Sequence, residues 1–228
     1  MKEIKVCGIT KQEEIEYLNE LKVQYAGFVF TQSKRAVNIG QANVLIKCLY
    51  KDIQKVGVFK DNSLTEILEI LMYVPLNVVQ LHGNEDKKFI SDLKERISDN
   101  VQIWKALSVK DEDKLDEFLF KDYSSLIDMY VIDGDNPGSG EAFSLETLKQ
   151  KLKNCENKIP YLLAGGITPK NALKRAEEVC ALGVDVSSGV EIIENNMRSK
   201  SFNKIRELIN NLKFENTKQI SRNRQYKN

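Results

Sequence analysis

Ala164-Gly165-Gly166-Ile167-Thr168-Pro169 is followed about twenty residues later by Asp185-Val186-Ser187-Ser188-Gly189-Val190-Glu191. In each stretch a short apolar run gives way to a glycine-bearing turn and then to a helix-like pattern. Glycine lets the backbone approach an anion with no Cβ in the way, and N–H groups at a helix start point at it with the positive end of the dipole behind them. Either turn alone is what many strand-to-helix connections show. Together, near the end of a chain of repeating strand and helix segments, they read as a phosphate cup made by the loops after strands 7 and 8 of a (β/α)8 barrel.

Outward from these turns, apolar and β-branched runs alternate with charged segments of helical period. Strands are expected at Glu3 to Cys7, Tyr25 to Phe30, Lys55 to Phe59, Asn77 to Leu81, Gln102 to Ala106, Met129 to Asp133, Tyr161 to Ala164 and Val184 to Val186. Between them, Gln12 to Leu21, Ser63 to Tyr73, Glu85 to Ile97 and Pro169 to Cys180 repeat apolar residues at spacings of three and four. Asn62-Ser63 and Thr168-Pro169 look like helix starts, the second with proline where a missing N–H costs nothing. Strict alternation implies a parallel sheet, and eight repeats can close it into a single α/β TIM barrel. An open doubly wound sheet shares the pattern, but the Gly-x-Gly-x-x-Gly turn of a dinucleotide binder is missing after the first strand.

Composition fits one catalytic domain. A complete barrel needs about 200 to 250 residues, and the chain has 228. With 34 basic and 33 acidic side chains the net charge is +1, so no global field gathers nucleic acid or an acidic membrane. Cys7, Cys48, Cys155 and Cys180 show no metal-like spacing, and Met1-Lys2-Glu3-Ile4-Lys5 lacks the apolar core of a secretory leader. No run of about eighteen apolar residues occurs. A reduced, cytoplasmic protein is expected, with its barrel over residues 1–213. From Phe214 onward the chain turns polar and amide-rich and reads as a flexible tail over 214–228.

Active-site groups of a barrel come from the C-terminal ends of its strands. Those ends supply Cys7-Gly8, Ser33-Lys34-Arg35, Gln80-Leu81-His82-Gly83, Asp133 and the two glycine turns. A thiol, a carboxyl group, a guanidinium and a phosphate cup suit an anionic sugar phosphate undergoing proton transfer. Each residue also has a plainer reading. Cys48, Cys155 and Cys180 fit small buried or incidental positions. Cys7, at the open end of a strand, is either one more of these or a partly ionised thiol, since an unperturbed thiol titrates at about 8.5. Asp133 is either a loop cap or a general acid. Arg35 belongs either to a solvated loop or to a bidentate grip on a carboxylate. His82, the single histidine, argues against a zinc site of several imidazoles.

The chain also resembles the phosphoribosylanthranilate isomerase family of tryptophan biosynthesis. The matching stretches are Lys5-Val6-Cys7-Gly8-Ile9-Thr10, Gly27-Phe28-Val29-Phe30 with Ser33-Lys34-Arg35-Ala36-Val37-Asn38, Lys55-Val56-Gly57-Val58-Phe59 and Val79-Gln80-Leu81-His82-Gly83-Asn84-Glu85. Asp133, Gly138-Ser139-Gly140-Glu141-Ala142-Phe143 and the two glycine turns continue the match through Glu191 in family order. The resemblance implies an Amadori rearrangement of N-(5-phosphoribosyl)anthranilate without a cofactor or metal. Asp133 would be the general acid at the ring oxygen and Cys7 the general base at C2. Arg35 would hold the anthranilate carboxylate, with Gln80 and His82 also touching substrate. Phosphate would lie among Gly140, Gly165, Gly166, Ser188 and Gly189, the last near the start of a short helix.

The expected partner is this phosphosugar–anthranilate substrate, with no nucleic acid or membrane, in a monomer or homodimer. Two departures stand out. Pro137 occupies a place where a second glycine often precedes Gly-Ser-Gly, and Asn196-Met197-Arg198-Ser199 replaces a common Gly-x-Lys-Asp, a change expected to fall on a helix start. The alternatives are another phosphate-binding barrel isomerase or epimerase, for which one histidine supplies too few metal ligands, and a catalytically silent phosphosugar-binding barrel.

Overall fold

A computed structural model describes residues 2–134, 144–155, 159–194 and 196–225, with side chains through Lys213. Eight parallel strands close a barrel: β1 (Glu3–Cys7), β2 (Tyr25–Val29), β3 (Gln54–Phe59), β4 (Val78–Leu81), β5 (Gln102–Ser108), β6 (Met129–Asp133), β7 (Tyr161–Leu163) and β8 (Gly183–Val186). β8 returns to β1 with Ile4 opposite Val184 and Val6 opposite Val186. Among the described residues seven helices lie in the connections, α1 (Gln12–Leu21), α2 (Ile39–Lys47), α3 (Leu64–Tyr73), α4 (Lys87–Lys94), α5 (Glu112–Phe120), α6 (Glu146–Lys153) and α7 (Ala172–Glu178), and α8 (Phe202–Gln225) follows β8 and its hairpin. The (β/α)8 barrel expected from the alternation is the fold observed.

Side chains alternate across a strand, and here that parity separates two cores. One face of the strands packs against the helices through residues such as Ile4, Val6, Phe28, Val79, Ile103, Ile132 and Val184. The other face fills the barrel with Val56, Val58, Val78, Trp104, Met129, Val131 and Leu162. Trp104 is fully buried and meets the Tyr25 ring edge-on at 4.9 Å between centroids. Following the inward parity along a strand puts Lys5 and Cys7 on one face of β1, Gln80 on that of β4, Asp133 on that of β6 and Asp185 on that of β8. Cys7, Gln80, Asp133 and Asp185 are the last inward positions of their strands, and Lys5 lies one inward step below Cys7.

Capping explains several boundaries and corrects others. Ser63 sits just before α3 and accepts from Glu66 N–H, while the Glu66 carboxylate accepts from Ser63 N–H, closing a capping box. The segment expected as helix from Glu85 starts later, because Asp86 caps α4 and Glu85 turns inward to Lys105 at 2.8 Å. Thr168-Pro169 does not start α7. Asn171 Oδ1 accepts from Thr168 N–H at 2.8 Å and its amide donates to Gly166 O at 2.8 Å, which ties the loop into a turn and delays the helix to Ala172.

After β8 comes one 3-10 turn (Ser188–Val190), then an antiparallel hairpin of β9 (Glu191–Glu194) and β10 (Met197–Lys200). The altered stretch at 196–199 therefore lies in the hairpin turn and β10, not at a helix start; Asn196, at φ +61°, takes the left-handed conformation the turn needs. α8 packs along α1 and α7, burying Ile205, Leu208, Ile209 and Leu212. Its backbone continues through the polar stretch from 214 as far as Gln225. Among the described residues no helix is long and apolar enough to cross a membrane.

Candidate active site

The C-terminal mouth of the barrel holds a cavity of about 230 Å³. Its walls include Cys7, Arg35, Gln80, His82, Asp133, Gly165, Gly166 and Ser188, so residues read from six separate connections meet in one place. Cys48, Cys155 and Cys180 do not line it. Cys48 and Cys180 are exposed rather than buried, which corrects the buried reading for those two. Gly140 and Pro137 lie outside the described residues.

Asp133 ends β6 and is buried. Burial raises its pKa to about 6; the Gly134 N–H, donating to Oδ1 at 2.7 Å, opposes that rise, Asp185 adds to it and Lys5 opposes it. A carboxyl group tuned this way carries a proton in a useful fraction of molecules near neutral pH. His82 stands at the end of β4 with Nδ1 3.3 Å from the Gln80 amide nitrogen. Burial takes its pKa down to about 4, with Lys5 as the next cause, so the ring is neutral. Gln80 Oε1 is buried, lies in a side chain on the cavity wall, and has no hydrogen-bond partner among the described residues.

Cys7 ends β1, three strands from β6 around the closed barrel. Burial pushes its thiol above the ordinary value; the Lys5 ammonium pulls it down, Asp185 pushes it up and Lys200 pulls it down. The resting group is therefore a thiol, not the partly ionised species that an unperturbed pKa suggests. Lys5 is fully buried two residues away on the same face of β1, and Nζ donates to Asp185 Oδ2 at 2.9 Å. Burial lowers its pKa, but the Asp185 carboxylate and Cys7 outweigh that effect and hold it above the ordinary value. Asp185 Oδ1 is buried without a partner, in a side chain that lines the cavity. Lys5 and Asp185 are further functional candidates, not expected from the sequence. The signal was present: a lysine and an aspartate at inward positions of β1 and β8, where an apolar residue belongs unless the charges pair.

Arg35 reaches the mouth from the loop after β2. Its Nε and Nη2 donate to Glu191 Oε1 and Oε2 at 2.7 and 2.8 Å, a forked pair. Lys200 Nζ, nearly fully buried, donates to Glu191 Oε1 at 2.7 Å and to Ser187 Oγ at 3.2 Å, and Ser187 Oγ donates to Cys7 O at 3.0 Å. Burial works against ionisation of Glu191, yet the Arg35 hydrogen bonds and the Lys200 charge take its pKa down to about 2. Arg35 thus sits on an exposed loop but turns its side chain inward to an ion pair.

The glycine turns meet as expected. Gly165 has φ +76°, and a Cβ there would stand 2.4 Å from Gly134 N and 2.8 Å from Asp133 Oδ1. Gly189 lies against the Ile167 carbonyl, where a Cβ would come within 1.8 Å. Bare backbone from the two loops is thereby drawn together beside Ser188. The short helix expected near Gly189 is a single 3-10 turn, which offers individual N–H groups rather than a long helix dipole.

Comparison with known proteins places the chain in a family. The family model described as N-(5'-phosphoribosyl)anthranilate (PRA) isomerase matches residues 4–211. The N-(5'-phosphoribosyl)anthranilate isomerase of Clostridium beijerinckii is 48% identical over 227 residues, covering 95% of this chain and 99% of that protein. A phosphoribosyl anthranilate isomerase structure from Thermotoga maritima superposes with a TM-score of 0.79 at 30% identity, covering 93% of this chain and 99% of the other. Another structure of such an isomerase, in complex with reduced 1-(o-carboxyphenylamino)-1-deoxyribulose 5-phosphate, gives 0.77 at 29% identity, with 93% and 99% covered. The chain belongs to the N-(5'-phosphoribosyl)anthranilate isomerase family.

Proposed function

We propose that the chain converts N-(5-phosphoribosyl)anthranilate to 1-(2-carboxyphenylamino)-1-deoxyribulose 5-phosphate by general acid–base catalysis, a step of tryptophan biosynthesis. The observation that carries this reading is the meeting, in one mouth, of a buried carboxyl group with a raised pKa and a thiol flanked by a buried ammonium. Asp133 gives its proton to the furanose ring oxygen; the C1–O bond breaks as the anilino nitrogen forms C=N. Cys7, as thiolate, takes the C2 proton, and the electron pair moves to give the enolamine. Transfer of the enol proton to C1 then yields the ketone. The proton gained by sulfur is returned to Asp133 through solvent, so no outside reductant or oxidant enters.

Lys5 is the group that makes a buried thiolate tolerable, and its own charge is secured by Asp185. The phosphate is held by backbone at Gly165, Gly166 and Gly189 with Ser188. Arg35 takes the anthranilate carboxylate, and Gln80 and His82 offer neutral polar contacts near the ribose. Anchoring the two anionic ends orients the reacting carbons between them. The chain acts as a monomer or homodimer in the cytoplasm, the second part of the reading being supported by a base that must stay a reduced thiol.

The test is to generate the substrate in situ and follow loss of anthranilate fluorescence with the parent, Cys7→Ala and Asp133→Asn proteins. Turnover that falls about 10²- to 10⁴-fold in each variant is the expected result. A folded parent that binds a product analogue but never turns over would instead make this a silent phosphosugar-binding barrel.

A further inference from the structure

We infer that Glu191 is a positioning residue for substrate recognition: it locks the Arg35 guanidinium by its Nε/Nη2 edge, so that only the Nη1/Nη2 edge is offered to a planar carboxylate. The inference rests on the isomerase reading above. A guanidinium has five N–H donors in one plane. Glu191 takes one from Nε and one from Nη2, at 2.7 and 2.8 Å. The three that remain include a parallel pair on Nη1 and Nη2, the right geometry for a second two-pronged carboxylate contact.

The lock is itself anchored. Glu191 is 7% exposed and is fixed by Lys200 at 2.7 Å and Arg198 at 3.3 Å, both on β10, while Lys204 of α8 donates to its carbonyl. The Arg35 stem is fixed from the other side. Gly8, one residue after Cys7, has φ +82°, and a Cβ there would lie 2.4 Å from Arg35 Cδ, so the stem runs directly over the backbone at the end of β1. Three cations on one carboxylate leave a net positive cluster, so Glu191 orients Arg35 without cancelling the attraction for an anion. Glu191 also follows Ser188 and Gly189 through one 3-10 turn. The element that forms part of the phosphate cup therefore also sets the carboxylate clamp, and the spacing between the two anion sites is built into a single loop.

The experiment compares two substrates, phosphoribosylanthranilate and its counterpart made from aniline, which lacks the carboxylate. For Glu191→Gln, KM for the first should rise about tenfold or more, as for loss of an ordered charged hydrogen bond, with kcat within a fewfold. Kinetics with the aniline counterpart should not change. Equal losses on both substrates would mean that Glu191 only holds the hairpin in place, and no change on either would remove its role; each result overturns the inference. Lack of turnover by the parent would overturn the isomerase reading instead.

An NMR measurement on the parent protein is independent of whether the variant folds. The Arg35 Nε–H should be protected from exchange, and should stay protected on saturation with the reduced product analogue while the Nη protons shift. Loss of Nε–H protection on binding would show that Arg35 leaves Glu191 to reach the ligand, contrary to the inference.

Discussion

His82 presents Nε2 to Oδ2 of Asp133 at 3.7 Å, beyond hydrogen-bond distance. With its pKa at about 4 the ring carries no charge. A protonated imidazole at that distance would hold Asp133 ionised. A neutral one leaves burial in control, and the carboxyl group keeps its pKa of about 6.

This arrangement predicts a trade between stability and activity at Asp133. An unfolded aspartate titrates at about 3.9. Between about pH 4 and pH 6 the folded chain holds a proton that the unfolded chain has lost, so stability falls as pH rises through that window. The Asp133→Asn protein escapes this cost. It should be inactive yet more stable than the parent at pH 7.5, by up to about 3 kcal/mol for a shift of about two units, and no more stable at pH 3.5. Urea unfolding at the two pH values checks this; a less stable variant at pH 7.5 would contradict it.

The same pair sets the pH profile. The acid must be protonated and the base ionised, although Asp133 titrates below Cys7. The fraction in the active form is then small and nearly constant between the two pKa values and falls on either side of them. The kcat/KM profile should rise to a plateau above about pH 6 and decline only above the ordinary thiol value of about 8.5. A bell centred below pH 6 would contradict the raised pKa of Asp133 and of Cys7.

The fold was legible because each strand is a short apolar run and each helix has a periodic face, and errors fell where side chains override periodicity. Asn171 folds the loop after β7 back on itself, and the pair with Lys105 draws Glu85 out of the helix expected around it. The hairpin after β8 lies outside the strands expected from the sequence, although Asn196 just before Met197-Arg198 is a turn-forming residue. At the site, strand-end position pointed to Cys7, Asp133 and Arg35 as candidates, and the three line one cavity. It could not identify Lys5, Asp185 and Glu191, because their roles depend on pairings across about 150 to 180 residues of sequence. The direction of the Cys7 shift was illegible for the same reason: burial is a property of the closed barrel.

Lys5 and Asp185 form a buried pair at 2.9 Å, and removing one member leaves the other charge unpaired. Lys5→Met should cost about 3–5 kcal/mol, and adding Asp185→Leu should recover most of that loss. Activity should not recover, because the double variant still lacks the ammonium beside Cys7. Peptide-resolved alkylation across a pH series measures this directly: the apparent pKa of Cys7 should move further up in the double variant. An unchanged Cys7 profile with full turnover would remove Lys5 from the chemistry.

Gly165 brings the glycine turn after β7 against Asp133, and a methyl group there tests the link. Alanine at φ +76° is strained, and its Cβ would press on Gly134 N and Asp133 Oδ1. Gly165→Ala should therefore lose at least about 1 kcal/mol of stability, and kcat should fall with it, since the carboxyl group must move. Gly40 is the contrast. It lies in the first turn of α2, and a Cβ there meets only Asn38 Oδ1 at 3.4 Å, so Gly40→Ala should gain up to about 1 kcal/mol and leave kcat alone. Thermal melts and steady-state rates on the two variants separate a backbone requirement at the site from the ordinary cost of adding a methyl group. Loss of stability at Gly165 with an unchanged kcat would show that Asp133 does not depend on the contact.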